Sequence, residues 1–70
     1  MTIIKNFSLN GESYYVHDDI VLLNLIEYFN FDNTLLVLEY NDFICKKQNW
    51  NKICIQNQDK IEIVTIVGGG

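Results

Sequence analysis

Leu22, Leu25, Ile26 and Phe29 recur at i, i+3, i+4 and i+7, laying one apolar stripe along an α-helix of about three turns. Asn24 and Glu27 lie off that stripe. Asp18-Asp19 just ahead supplies an N-cap and negative charge at the positive end of the helix dipole. Asn30 and Asn33, around Phe31-Asp32, are turn formers that end the helix. Elsewhere the pattern is strand-like. Ile61 to Val67 alternates, so that Ile61 and Ile63 face a core while Glu62, Val64 and Ile66 face outward. Leu35 to Tyr40 is a short, nearly continuous apolar run, which suits a strand buried in the middle of a sheet. Ile53-Cys54-Ile55 reads as a brief strand with both isoleucines inward and Cys54 outward.

Turn residues divide these pieces. Asn10-Gly11 tolerates the positive φ angles of a tight hairpin and joins a strand over Ile3 to Leu9 to one over Glu12 to His17. Asn41-Asp42 turns into a short Phe43-Ile44 segment, and Asn57-Gln58-Asp59 turns into the last strand. Lys46 to Asn51, with Trp50 beside it, is irregular or a single helical turn. The order is a hairpin, a helix, a strand, short strands and a final strand. A hairpin followed by a crossing helix predicts a mixed sheet with the helix packed over one face. First and last strands then lie side by side, in parallel, at the centre. This is the β-grasp arrangement: an α+β fold with a mixed sheet of four to five strands and one main helix. Residues 1–67 form the domain and residues 68–70 a flexible tail.

Seventy residues make one domain, small enough to bury only roughly 60% of its unfolded surface. An apolar content of 49% suits a compact globule rather than a disordered chain. No apolar run approaches the roughly 18 to 20 residues that span a bilayer. Met1-Thr2-Ile3-Ile4-Lys5 lacks a signal-peptide pattern, so the protein is expected to work where it is made: bacterial cytoplasm, or plastid stroma if organelle-encoded. The net charge of −4 disfavours binding to nucleic-acid phosphates and suits either a basic protein partner or simple solubility. A monomer is expected when the protein is free.

Residues for catalysis are scarce. His17 is the single histidine, so the chain cannot build a histidine triad or a His-based metal cluster, and no metal site is expected. Adjacent carboxylates Asp18-Asp19 before a helix are far more often caps than acid–base pairs. The glycines are Gly11 and the terminal three, which leaves no phosphate-binding loop. Cys45 and Cys54 are too few for a four-cysteine zinc or iron–sulfur site and are read as reduced thiols. Trp50 either anchors a partner or covers one edge of the core. What remains is Gly68-Gly69-Gly70 after the final strand. Bare glycine gives a thin thread ending in a carboxylate, although a frayed end has the same composition. Beside it, outward Glu62, Val64 and Ile66, together with Val67, form a candidate docking patch.

Several segments together resemble the ThiS family, sulfur carriers of thiamine thiazole biosynthesis with a ubiquitin-like β-grasp fold. Leu9-Asn10-Gly11-Glu12 matches the family's opening turn, and Glu39-Tyr40-Asn41, Phe43-Ile44 and Trp50 its central segment. Asp59-Lys60-Ile61-Glu62-Ile63-Val64 leading to Val67-Gly68-Gly69-Gly70 is the most specific part. The chain departs at Gln58, where the family often has glycine, and at Cys45-Lys46, where a proline-basic pair is common. The resemblance implies a protein substrate rather than an enzyme, with no bound cofactor. An E1-like, ATP-using enzyme would adenylate the Gly70 carboxylate. A persulfide sulfur donor enzyme would supply the sulfur of a thiocarboxylate, and thiazole synthase would take it. Gly68, Gly69 and Gly70 would thread into the partners' active sites. The exposed glycine end would need no maturation protease. Alternatives are the small subunit of molybdopterin synthase, a ubiquitin-related modifier, and a plain β-grasp interaction module.

Overall fold

The computed structural model describes residues 4–31 and 36–65. Strand β1 (Lys5–Leu9) and strand β2 (Glu12–Val16) form a hairpin closed by Asn10 at φ 51° and Gly11 at φ 85°. Two successive positive φ angles give the turn a twist that matches its strands. Helix α1 (Leu22–Tyr28) follows, then β3 (Leu36–Tyr40), β4 (Phe43–Cys45), a 3-10 turn over Lys47–Asn49, and β5 (Lys60–Thr65). The sheet order is β2-β1-β5-β3-β4. β1 runs parallel to β5, with Ser8 opposite Lys60 and Leu9 opposite Ile61. β3 runs antiparallel to both β5 and β4. The last strand is therefore the central one, beside the first, as the element order predicts.

The apolar stripe of α1 is as the spacing predicts: Leu22, Leu25 and Ile26 are buried against Phe7, Leu9, Leu38, Trp50, Ile55, Ile61 and Ile63. The helix itself is shorter than expected, seven residues and two turns, with Phe29 as its C-cap. It ends in a Schellman arrangement: Phe31 N–H donates to Ile26 O at 3.1 Å and Asn30 N–H to Glu27 O at 3.1 Å. Asn30 sits at φ 57°, the left-handed position this ending needs. Asn33, the other expected stop, lies outside the described residues.

Asp18-Asp19 does not cap the helix. The N-cap is Val21, and neighbouring carbonyls satisfy the first free N–H groups. Leu22 N–H donates to Ile53 O at 3.0 Å and Leu23 N–H to Trp50 O at 2.9 Å. Asn24 Oδ1 reaches back to accept from Val21 N–H at 3.0 Å. Asp19 instead pairs with Lys5 Nζ at 2.7 Å, and that hydrogen bond lowers its carboxyl pKa. The expected strand Ile53–Ile55 is reduced to an isolated bridge between Val21 and Cys54, with Ile55 buried and Cys54 exposed. Trp50 sits within the core rather than at its edge. It is 2% exposed, and its indole N–H donates to Cys45 O at 3.0 Å.

Candidate functional site

The sheet has two unlike faces. One carries the core. On the other, cross-strand partners place Val37 opposite Val64, and Glu39 opposite both Glu62 and Ile44. Val64 is 56% exposed and Ile44 is 73% exposed, while Val37, Glu39 and Glu62 are half-buried. Two of the expected docking residues, Glu62 and Val64, thus share this open face at neighbouring rungs of β5. Ile66, Val67, Gly68, Gly69 and Gly70 lie outside the described residues.

Val37, Glu39 and Ile44 were not foreseen on this face. The Leu35–Tyr40 run reads as buried on both sides, yet among its described residues only Leu38 is fully buried. A strict period of two through Leu36, Leu38 and Tyr40 leaves Val37 and Glu39 for the other face. That alternation was the available signal. Electrostatically the face is acidic. Glu39 and Glu62 stand directly opposite one another, and Lys60 Nζ lies 3.7 Å from Glu62 and 3.0 Å from Asp42. The Asp42 hydrogen bond and its charge raise the Lys60 pKa.

Two asparagines grip the central strand from opposite sides. On the β1 side, Asn10 N–H donates to Ile61 O at 2.9 Å, and its side-chain Oδ1 accepts from Ile63 N–H at 2.8 Å. On the β3 side, Asn41 N–H donates to Lys60 O at 2.8 Å, and its Oδ1 accepts from Lys60 N–H at 2.7 Å. Asn41 Nδ2 also donates to Asp59 Oδ1 at 3.1 Å. Asp59 is the one buried charged side chain among the described residues. Its Oδ2 accepts from the Tyr40 hydroxyl at 2.6 Å and from Gln56 N–H at 2.6 Å. Burial first, and the Asp59 hydrogen bond second, push the Tyr40 phenol well above the ordinary tyrosine range. The start of β5 is thus tied to the β3–β4 turn through charge-assisted hydrogen bonds.

The residues weighed for catalysis are dispersed. His17 is exposed just past β2, Asp18 is exposed, and Asp19 is paired with Lys5. Cys45 is half-buried, and burial raises its thiol pKa. Among the described residues no group of His, Cys, Asp and Glu side chains is arranged to hold a metal ion. No described helix is long and apolar enough to cross a membrane.

A mixed five-stranded sheet with parallel first and last strands, crossed by one helix, defines a ubiquitin-like β-grasp protein. The structure matches that of the thiamine biosynthesis protein ThiS from Geobacter metallireducens, with a TM-score of 0.77. The match covers 93% of this chain and 99% of that one at 18% identity. The chain belongs to the ThiS family, whose family model matches residues 7–70. A protein of Trieres chinensis named uncharacterized protein ycf40 is 62% identical over 66 residues, covering 94% of this chain and 90% of its relative. The ycf40 protein of Porphyra purpurea is 36% identical over 68 residues, with 94% and 96% of the two chains covered. That of Pyropia yezoensis is 32% identical over 65 residues, with 93% and 92% covered.

Proposed function

We propose that the protein is a sulfur carrier for thiamine thiazole biosynthesis, with the carboxylate of Gly70 as the cargo site. The observation that carries this reading is Gly68-Gly69-Gly70 following the central strand of a ThiS-family β-grasp domain. A carboxylate is a poor electrophile until one oxygen becomes part of a good leaving group. In an E1-like partner the Gly70 carboxylate attacks the α-phosphate of ATP and releases pyrophosphate, leaving an acyl adenylate. A persulfide on a sulfur donor enzyme attacks the carbonyl carbon and expels AMP. A second thiol then cleaves the sulfur–sulfur bond, forming a disulfide and freeing the Gly70 thiocarboxylate. Thiazole synthase takes that sulfur. ATP belongs to the partner's chemistry, and the carrier needs no cofactor of its own.

The open face supports docking. Three extended residues reach only about 10 Å, so Gly68, Gly69 and Gly70 can enter a partner's site only if the domain docks close to it. Ordering that backbone costs on the order of 1–2 kcal/mol per residue, to be offset by contacts elsewhere. Val64, with Val37 beside it and Ile44 one strand beyond, supplies apolar area for such contacts, and Glu62 adds charge. Ile66 and Val67 extend the proposed patch in sequence. Val64→Asp is expected to weaken binding to the activating enzyme about tenfold or more while leaving the thermal unfolding transition in place. Unchanged affinity would rule the face out. A plastid stroma is the favoured location, because ycf40 is a plastid gene designation in algae.

A further inference from the structure

The two edges of the sheet are unlike. β4 is three residues long and is followed by Lys46 and Lys47, whereas β2 runs five residues, Glu12–Val16, without lysine or proline. Short length, lysine and proline are common guards against strand addition, and β2 lacks them. Which of its backbone groups face outward follows from β1. Ser8 N–H donates to Asp59 O at 2.9 Å, Asn6 N–H donates to Asn57 Oδ1 at 2.8 Å, and Asn6 O accepts from Gln58 N–H. Asn6 and Ser8 therefore turn their backbone groups away from β2. They stand opposite Tyr15 and Ser13 in the hairpin. By the alternation of antiparallel pairing, Ser13 and Tyr15 turn their own N–H and C=O groups away from β1. Among the described residues no strand takes these groups up.

Beside that edge, between β2 and α1, lies a cavity of about 410 Å³. Tyr14, Val16, Ile20, Tyr28 and Phe29 line it, and Asp18 is its one charged lining residue. Tyr14 packs edge-on against Phe29 with ring centroids 5.4 Å apart, and Phe29 packs edge-on against Tyr28 at 5.1 Å. Tyr28 is nevertheless 82% exposed. A strand added to β2 would run about 4.8 Å from it, and alternate side chains of that strand would descend into the cavity. Edge and cavity together fit one ligand, an extended peptide with apolar side chains at i and i+2. Charge narrows the choice. Asp18 is exposed and has no ion-pair partner among the described residues, while nearby Lys5 is held by Asp19 at 2.7 Å. Glu12 stands at the other end of β2. A second copy of this chain, itself at net charge −4, is a poor match for these acids. We propose that β2 and the groove beside α1 bind an extended segment of another protein, apolar at alternate positions and flanked by lysine or arginine, which adds a strand to the sheet. The groove lies on the helix side of the sheet, away from Val64 and Glu62 of the open face. The proposal therefore does not depend on the carrier reading.

The test is a titration of the full chain, followed by amide NMR, with a short synthetic peptide carrying valine at alternate positions and lysine pairs at both ends. Two companion peptides isolate the chemistry. One has glutamate in place of lysine, and the other has N-methyl groups on its central amides. The lysine peptide should slow amide exchange at Ser13 and Tyr15 about tenfold at saturation, relative to Leu38. Both companions should bind at least about tenfold more weakly. Tyr28→Lys, at an exposed position, should weaken the lysine peptide to a similar degree, whereas Val64→Asp should leave its affinity unchanged. Asp18→Lys should weaken it too, and it decides the matter if Tyr28→Lys does not fold. No protection of Ser13 and Tyr15 by the lysine peptide at about 1 mM overturns the proposal. Equal binding of the N-methylated peptide overturns strand addition, and equal binding of the glutamate peptide overturns the charge match. Dimerisation of the free chain that is lost in Tyr28→Lys would give this face to a second copy and overturn the proposal as well. None of these measurements involves ATP or sulfur transfer, so their failure is separate from a failure of the carrier reading.

Discussion

Positive φ angles fall at Asn10, Asn30, Asn41, Asp42 and Gln58 among the described non-glycine residues. Four are Asn or Asp, whose short polar side chains lower the cost of the left-handed region. Gln58, at φ 67°, has no such excuse. It occupies the position where ThiS sequences often carry glycine, so this departure from the family pattern stores backbone strain. Gln58→Gly should stabilise the fold by about 0.5–1 kcal/mol, since relief of strain outweighs the extra freedom glycine has when unfolded. Chemical denaturation checks it, and a destabilised variant would contradict it. Asp59 is a second case in which one residue decides much. Its carboxylate accepts from Tyr40, Asn41 and Gln56. Asn in its place turns one acceptor into a donor facing a donor. Asp59→Asn should therefore cost about 1.5–3 kcal/mol in the same measurement.

At the scale of elements, backbone hydrogen bonds over long sequence separation explain where the local reading went astray. The stripe on α1 was legible because 3.6-residue periodicity is written in consecutive residues. Its N-cap was not, because the acceptors for Leu22 and Leu23 come from Ile53 and Trp50, far along the chain. Asp18-Asp19 has the right chemistry for a cap but stands a turn too early, and Lys5 claims Asp19. Trp50 was legible as a large aromatic at the edge of the core and not as one within it. Its burial depends on Cys45 O lying within reach of the indole N–H. The β3–β4 turn and β5 are also coupled by Tyr40 and Asp59, and that coupling should titrate. Because the folded Tyr40 pKa lies above the free value of 10.0, its contribution to stability is present below pH 10 and is lost as pH rises further. The raised pKa of Lys60 acts in the same alkaline direction. Stability of the wild type should thus decline above pH 10, and less steeply in Tyr40→Phe. Parallel slopes for the two proteins would contradict this coupling.

Across the whole molecule, the β-grasp topology gives the local patterns their places in space. It places the last strand at the centre of the sheet, so both ladders converge on the segment that leads to Gly70. Asn10 and Asn41 hold that strand from its two sides, and the opposite face of the sheet is given over to the core. The open face was only partly legible in sequence. Alternation along β5 exposed Glu62 and Val64, but the register that brings Val37, Glu39 and Ile44 beside them exists only once the sheet is assembled. The glycines themselves were the clearest sign in the sequence and the least explained by local physics. Their meaning comes from the strand before them and from the family to which the chain belongs. The most direct test is intact-mass analysis of the full chain after incubation with an E1-like activating enzyme, ATP and a persulfide donor. The carrier account predicts the mass gain of one oxygen-for-sulfur exchange, localised to Gly70 and abolished when ATP is withheld. An unchanged mass, with the activating enzyme shown to be competent on its own carrier, would contradict it.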